Sequence, residues 1–237
     1  MRTSQEHLRC NLTGKLPVSV VIPALNAALC VEASIGAVAA AVAEVIVADG
    51  GSSDETVEIA ARLGAQTLAA ERGRGTQLAA GASRAASDWL LFLHADTCLQ
   101  PGWREAVAGF IADRANWRKA ACFRFRLDDA SRQSRRLERL VAWRCRRFGL
   151  PYGDQGLLIR RERYAEIGGF KPIPLMEDVD IVRRIGRRNM VVLQAEAVTS
   201  AARYRRDGYW RRSTRNLCLL SLYFAGVPPR WLVKAYG

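Results

Sequence analysis

The sequence predicts an α/β protein with a mostly parallel central sheet flanked by helices. Three observations carry this. Through the first hundred residues, short β-branched runs alternate with helix-forming runs, the order of βαβ units. The runs "VSVVIP", "VIVA" and "WLLFL" are almost wholly apolar, as strands covered by helices on both faces must be. Two of these strands lead into an acid, Asp49 and Asp96, at the carboxyl ends where sheets of this kind hold ligands.

The elements follow in order. Residues 1–16 read as a flexible polar tail. "VSVVIP" (18–23) is short, β-branched and ended by proline, which suits a buried strand. The alanine-rich stretch 32–42 has the composition of a helix. "EVIVADGGSSDET" gives a second strand, a glycine turn and a helix start, with Ser53 or Asp54 as the cap and residues 56–63 as the body. "AQTLAA" is a short strand, and "RGRGTQLAAGASRAA" is a glycine-rich loop feeding a helix. "WLLFL" is the next strand.

After residue 100 the pattern changes. "PGWREAVAGFIA" starts a helix with Pro101 near its first turn. "ACFRFRL" alternates apolar and basic residues, as a half-exposed strand does. Residues 132–147 hold seven arginines among Leu137, Leu140, Val141 and Trp143, an amphipathic basic helix. "GLLIRRERYAEIGGF" reads as strand, helix and Gly-Gly stop, and "MEDVDIVRRIGRR" as a helix with acids in its first turn. The domain therefore spans 17–200, with a basic and apolar helical segment over 201–237.

Composition narrows the classes. An apolar share of 49% in 237 residues builds one sizeable core and excludes a disordered chain. The balance of 36 Lys+Arg against 23 Asp+Glu, a net +13, favours polyanions, acidic membrane surfaces or phosphorylated substrates without choosing among them. No two of the six cysteines stand at metal or redox spacing, so reduced thiols and a cytoplasmic setting are expected. The charge-poor stretch 16–43 is broken by Pro17, Pro23, Asn26 and Glu32. "LCLLSLYFAGV" is eleven residues, too short to span a bilayer.

Four constellations can do chemistry. Asp49 with Gly50 and Gly51 lets backbone approach a ligand, and its carboxylate can accept from a ribose hydroxyl or a base; the plainer alternative is a capped turn. In "ERGRGTQ", Arg74, Gly75 and the following helix start form an anion site, or merely a glycine turn. Asp96 is suited to a hard cation, Mg²⁺ or Mn²⁺, bridging diphosphate oxygens. His94 beside it hydrogen-bonds the nucleotide, lies near the metal, or is structural. The pair Glu177-Asp178 is either an acidic helix start, stabilised by the helix dipole, or a general base.

Taken together, "VVIPALN", "VADGGSSDET", "RGRGTQLAAGA", "LLFLHADT", "GDQGLLIRRERYAEIGGF" and "MEDVDIVRRI" resemble the family 2 glycosyltransferases, inverting enzymes of the GT-A (Rossmann-like) fold. The likeness covers roughly residues 17–200 and is greatest to the small bacterial subgroup associated with radical-SAM and selenodomain proteins. The pattern R-x-x-x-x-E-x-G-G-F falls on Arg161, Glu166, Gly168, Gly169 and Phe170. The resemblance implies that Pro23, Ala24 and Asp49 line the nucleotide site, Asp96 is the surviving acid of the Asp-x-Asp metal motif, and Asp178 is the catalytic base. His94 stands where most relatives carry an acid, a departure that bears on metal affinity rather than on nucleotide binding. "RRDGYWRR" does not match the Gln/Arg-x-x-Arg-Trp motif of processive relatives, so synthesis of a long polysaccharide is not expected.

The rival enzyme is a sugar-nucleotide nucleotidyltransferase, but the residues after the first strand read "PALNAALC", without the glycine-rich signature. Six arginines with Tyr204, Tyr209 and Trp210 between residues 203 and 215 suit a solvated face, an anionic membrane surface or nucleic acid. Peripheral membrane contact, with a hydroxyl acceptor that is lipid-linked, ranks ahead of nucleic acid, for which no module is present.

Overall fold

The structure is a computed structural model and describes residues 14–236. The sequence-predicted tail falls almost wholly outside them, as does Cys10; Leu16 already belongs to the first strand. The strands are β1 (Leu16–Ala24), β2 (Val42–Asp49), β3 (Gln66–Ala69), β4 (Trp89–Phe92), β5 (Thr97–Leu99), β6 (Ala120–Leu127), β7 (Leu157–Arg160) and β8 (Met190–Thr199). They form one sheet in the order β3-β2-β1-β4-β7-β6-β8-β5. β3, β2, β1 and β4 run parallel, and so do β6 and β8. β7 lies antiparallel between β4 and β6, and β5 antiparallel on β8. The sheet is thus mostly parallel and flanked by helices, as the sequence predicts.

The helices are α1 (Val31–Gly36), α2 (Thr56–Arg62), α3 (Arg74–Arg84), α4 (Trp103–Ala112), α5 (Arg132–Phe148), α6 (Arg161–Glu166), α7 (Glu177–Ile185), α8 (Ala202–Asp207), α9 (Tyr209–Phe224) and α10 (Pro229–Tyr236). The sheet's two faces feed separate cores. Val18, Val20 and Ile22 of β1 pack with Ile35 of α1, Ile59 of α2 and Trp103, Val107 and Phe110 of α4. Val21, Ile46, Leu90 and Phe92 pack with Leu78 and Ala82 of α3 and Ile181, Val182 and Ile185 of α7. Alternation along a strand sends neighbours to opposite faces, so these strands have to be apolar throughout.

Two expectations change. The alanine run helical from residue 32 to 42 ends at Gly36, because Val42 is needed in the sheet opposite Leu16; the intervening residues turn back instead. β5 and β8 were not anticipated. The C-terminal segment is helical as expected: its basic stretch runs through α8 into α9, and α9 continues into the apolar stretch as far as Phe224. Among the described residues no helix is long and apolar enough to cross a membrane. Cys30, Cys98, Cys122, Cys145 and Cys218 are free thiols.

Candidate active site

The parallel half of the sheet delivers the first group of site residues. β1 ends at Pro23 and Ala24, in register with Ala48 and Asp49 of β2. The chain leaving β4 carries His94 and Asp96. Between these strand ends lies a cavity of about 350 Å³ lined by Pro23, Ala24, Arg74, His94, Asp96 and Arg203, among others. Arg72 and Asn26 also line it, so it is cationic on one side.

Asp49, Gly50 and Gly51 stand next to this cavity but do not line it. One Asp49 oxygen accepts the N–H of Gly51 and of Ser52, both at 2.9 Å, and the other accepts the Ser52 hydroxyl. The carboxylate therefore closes its own turn. Gly50 donates its N–H to the Ala24 carbonyl at 2.9 Å. The buried Gln77 of α3 donates one amide nitrogen to both the Ala24 and Ala48 carbonyls, at 2.7 and 2.8 Å. It ties the two strand ends together, and a Cβ at Gly50 would stand 3.0 Å from that nitrogen. Gly75 has a packing role too: a Cβ there would come 2.2 Å from the Lys171 carbonyl. Only glycine lets α3 start this close to the 171–177 backbone.

A second cavity, of about 150 Å³, shares Arg74, His94, Asp96 and Arg203 with the first. Its other walls include Asp154, Glu177 and Asp178. α7 begins here. Met176 before it is left-handed at φ 66°, an uncommon conformation for a non-glycine residue, and it turns the Glu177-Asp178 pair into the cleft. Glu177, 2% exposed, faces Arg74, with Oε1 3.2 Å from Nη1. Asp178 accepts the Val179 N–H on Oδ1 and the Gly153 N–H on Oδ2, both at 2.8 Å.

The 150–155 turn is fixed from behind by α5. Arg144 donates Nε–H to the Leu150 carbonyl at 2.8 Å, and its guanidinium lies 3.4 Å from the centre of the Tyr152 ring. Gln155, buried, donates to the Phe123 carbonyl at 3.0 Å. This holds Asp154 over the cavity with its Oδ1 shielded from solvent and unpaired. Burial, with Asp178 and Asp96 nearby, pushes the Asp154 carboxyl up to about 7 against the pull of Arg144 and Arg74. Burial also raises Glu177, opposed by Arg74. His94 is held well below its usual value by burial, then by Arg74 and Arg203, so its imidazole is neutral. Its Nε2 lies so close to the 153 backbone that a Cβ at Gly153 would approach it to 2.4 Å.

Of the sequence-predicted residues, then, Arg74, His94, Asp96, Glu177 and Asp178 meet in one cleft, with Pro23 and Ala24 at the end formed by the parallel strands. Asp49, Gly50, Gly51 and Gly75 are brought beside it, where they also shape the local turn and packing. Sequence reasoning missed Gln77, Asp154 and Arg203. A glycine-flanked acid in "GDQG" was the available signal for Asp154; nothing marked Gln77 or Arg203 from their neighbours.

Among the described residues no three His, Cys, Asp or Glu side chains cluster to cage a metal. Asp96 is nevertheless a carboxylate at the junction of the two cavities. That fits Mg²⁺ or Mn²⁺ bound in the usual nucleotide manner, by one or two carboxylates with phosphate oxygens and water completing the shell.

A mixed sheet with a cleft at the carboxyl ends of its parallel strands, where a cationic side meets an acidic one, defines a nucleotide-handling α/β enzyme. Residues 19–170 match the sequence model of Glycosyl transferase family 2, and the chain belongs to that family and is a glycosyltransferase. Its fold is the GT-A fold of glucosyl-3-phosphoglycerate synthase from Mycobacterium tuberculosis. A structure of that enzyme with Mn²⁺, UDP and glucosyl-3-phosphoglycerate is 20% identical, with a TM-score of 0.54 over 84% of this chain and 75% of that one. Another, with Mn²⁺ and UDP-glucose, is 20% identical at 0.55 over 82% and 73%. No curated protein matches the chain.

Proposed function

We propose that the protein transfers a sugar from a nucleoside diphosphate sugar to an acceptor hydroxyl with inversion, Asp178 acting as general base. The observation that carries this is the joining of two cavities at Asp96, His94 and Arg74. One lies at the ends of the parallel strands and the other is lined by Asp178. A donor occupying the first presents its anomeric carbon to a hydroxyl in the second. The solved GT-A structures with Mn²⁺ and UDP-glucose support a nucleotide-sugar donor.

In this reading Pro23 and Ala24 flank the nucleotide. Arg74 and Arg203, lining both cavities, face the diphosphate. Asp96 would hold Mg²⁺ or Mn²⁺, which when bound supplies positive charge to the departing diphosphate. Asp178 takes the proton of the acceptor hydroxyl as its oxygen attacks. Glu177, buried against Arg74, acts as a positioning group that aims the guanidinium. Neutral His94 can meet a phosphate oxygen only through its one N–H. The His94-Ala95-Asp96 form also supports membership of the radical-SAM-associated bacterial subgroup.

A second reading concerns location. Trp210, Leu217 and Trp231 are 74%, 63% and 57% exposed, on a C-terminal segment that also carries Arg205, Arg206 and Arg211. Such a mixture suits the surface of an anionic membrane from the cytoplasmic side.

Calorimetry with UDP, GDP and dTDP, with and without Mn²⁺, tests the donor assignment. Binding that strengthens with Mn²⁺ and loses that gain in Asp96→Ala is expected. Metal-independent binding in both proteins refutes the role of Asp96. Release of pyrophosphate rather than nucleoside diphosphate during turnover makes the protein a nucleotidyltransferase instead.

A further inference from the structure

The cavity beside Asp178 is an acidic place in a basic chain. Asp96, Asp154, Glu177 and Asp178 line it against Arg74, Arg203 and Arg212, while the whole chain carries a net +13. Two of those arginines are committed: Arg74 lies 3.2 Å from Glu177, and Arg212 lies 2.8 Å from Asp207. Arg203 sits on the boundary with the nucleotide-side cavity. With Asp96 assigned to the cation and Glu177 to Arg74, the acceptor end is left with Asp154 and Asp178 and little spare positive charge.

Two further oxygens point to what fits there. Asp154 Oδ1 and Asn216 Oδ1 are both shielded from solvent and lack a hydrogen-bond partner. Native proteins pair nearly all such atoms, so a bound molecule is the natural source of the missing hydrogens. Hydroxyl groups supply them. A phosphate or carboxylate brings only more acceptors, and adds negative charge beside Asp154 and Asp178. Leu175, Leu219 and Leu220 line the same cavity, the last two one turn beyond Asn216 on α9, and give it an apolar stretch.

We propose that the acceptor is an uncharged polyhydroxyl compound with an apolar portion, and not a phosphorylated acid. Its hydroxyls meet Asp154 and Asn216, and its apolar part lies on Leu219 and Leu220. This rests on the glycosyl-transfer reading. The reacting hydroxyl oxygen bonds to the anomeric carbon as that carbon's bond to the diphosphate oxygen breaks. The proton goes to Asp178, and the electron pair leaves with the diphosphate.

Saturation-transfer NMR on the full chain tests this with matched pairs: glycerol against glycerol 3-phosphate, and methyl β-glucoside against glucose 6-phosphate, with phenyl β-glucoside added for the apolar wall. Each is run with Mn²⁺, with and without the nucleoside diphosphate that binds in calorimetry. The unphosphorylated member is expected to bind roughly tenfold or more tightly in each pair, and the phenyl glycoside more tightly than the methyl. Asp154→Ala and Asn216→Ala are each expected to weaken the polyol about fivefold or more, while diphosphate affinity reports that the fold is intact. The proposal is overturned if the phosphorylated members bind equally or better, if neither class binds, or if both variants bind the polyol like the parent. Absence of any nucleotide binding sinks the donor reading instead, and leaves the acceptor comparison readable in the nucleotide-free runs.

Discussion

Asp178 accepts one backbone N–H on each carboxylate oxygen, from Val179 and from Gly153, both at 2.8 Å. A carboxylate has about four lone-pair sites, so each oxygen keeps one for an incoming hydroxyl proton. The two backbone donors also fix the group's orientation. Asp178→Asn keeps the size and removes the basicity, and gives up one of the two backbone hydrogen bonds, since its NH₂ cannot accept. Turnover is expected to fall by about 10²–10⁴, with diphosphate affinity nearly unchanged. Steady-state kinetics beside calorimetry measure both, and wild-type turnover in the variant would remove Asp178 from its role.

Arg74 and Glu177 can be separated by a double-mutant cycle. Arg74→Ala strands an almost fully buried carboxylate and is expected to cost about 3 kcal/mol in chemical denaturation. Glu177→Gln in the same chain is expected to return much of that stability, because no charge is then left unpaired. If the two costs simply add, the ion pair does not couple α3 to α7.

Asp154 makes stability depend on pH in a defined direction. Its carboxyl stands at about 7 in the folded protein against 3.8 for the free group. Between those values the folded state holds more protons than the unfolded one, so this group's contribution falls as pH rises from about 4 to about 7. The full effect is bounded at about 4 kcal/mol. Asp154→Asn removes it. The melting temperature of the variant relative to the parent is expected to be higher at pH 8 than at pH 5; a pH-independent difference would mean the carboxyl ionises normally.

The exposed aromatic residues of the C-terminal segment give a test of location. Co-sedimentation with vesicles containing anionic lipid is expected, and to weaken with salt and with Trp210→Ala and Leu217→Ala together. Equal binding to neutral vesicles, or a gel shift with mixed RNA at the same salt and no sedimentation, would assign the basic face to another partner.

The parallel half of the sheet was legible because its central strands β1, β2 and β4 are largely apolar runs, and Asp49 and Asp96 mark two ends. The other half was less so. β5 has three residues, too few for a pattern, and β8 is interrupted by Gln194 and Glu196, with part of its length only half-buried. Alanine propensity carried α1 past Gly36, since nothing local reveals that Val42 must pair with Leu16. In the site, Arg74, His94, Asp96, Glu177 and Asp178 could be named from motifs. Asp154 could not, because its character comes from burial, which depends on Arg144 holding the turn from another helix. Arg203 was hidden among neighbouring arginines. Asp49 shows the reverse: its motif was plain, yet three of its four acceptor positions are taken by Gly51 and Ser52, leaving one on Oδ1.

α8 and α9 wall only one of the two chambers apart from Arg203, through Tyr204, Arg212, Asn216, Leu219 and Leu220. If the proposed division of donor and acceptor holds, nucleotide grip and partner choice are written in different stretches of the chain. Substitutions at positions 216, 219 and 220 would then redirect the enzyme to a new molecule while the strand ends beside the other chamber stay as they are, leaving selectivity free to drift in evolution without the donor side being rebuilt.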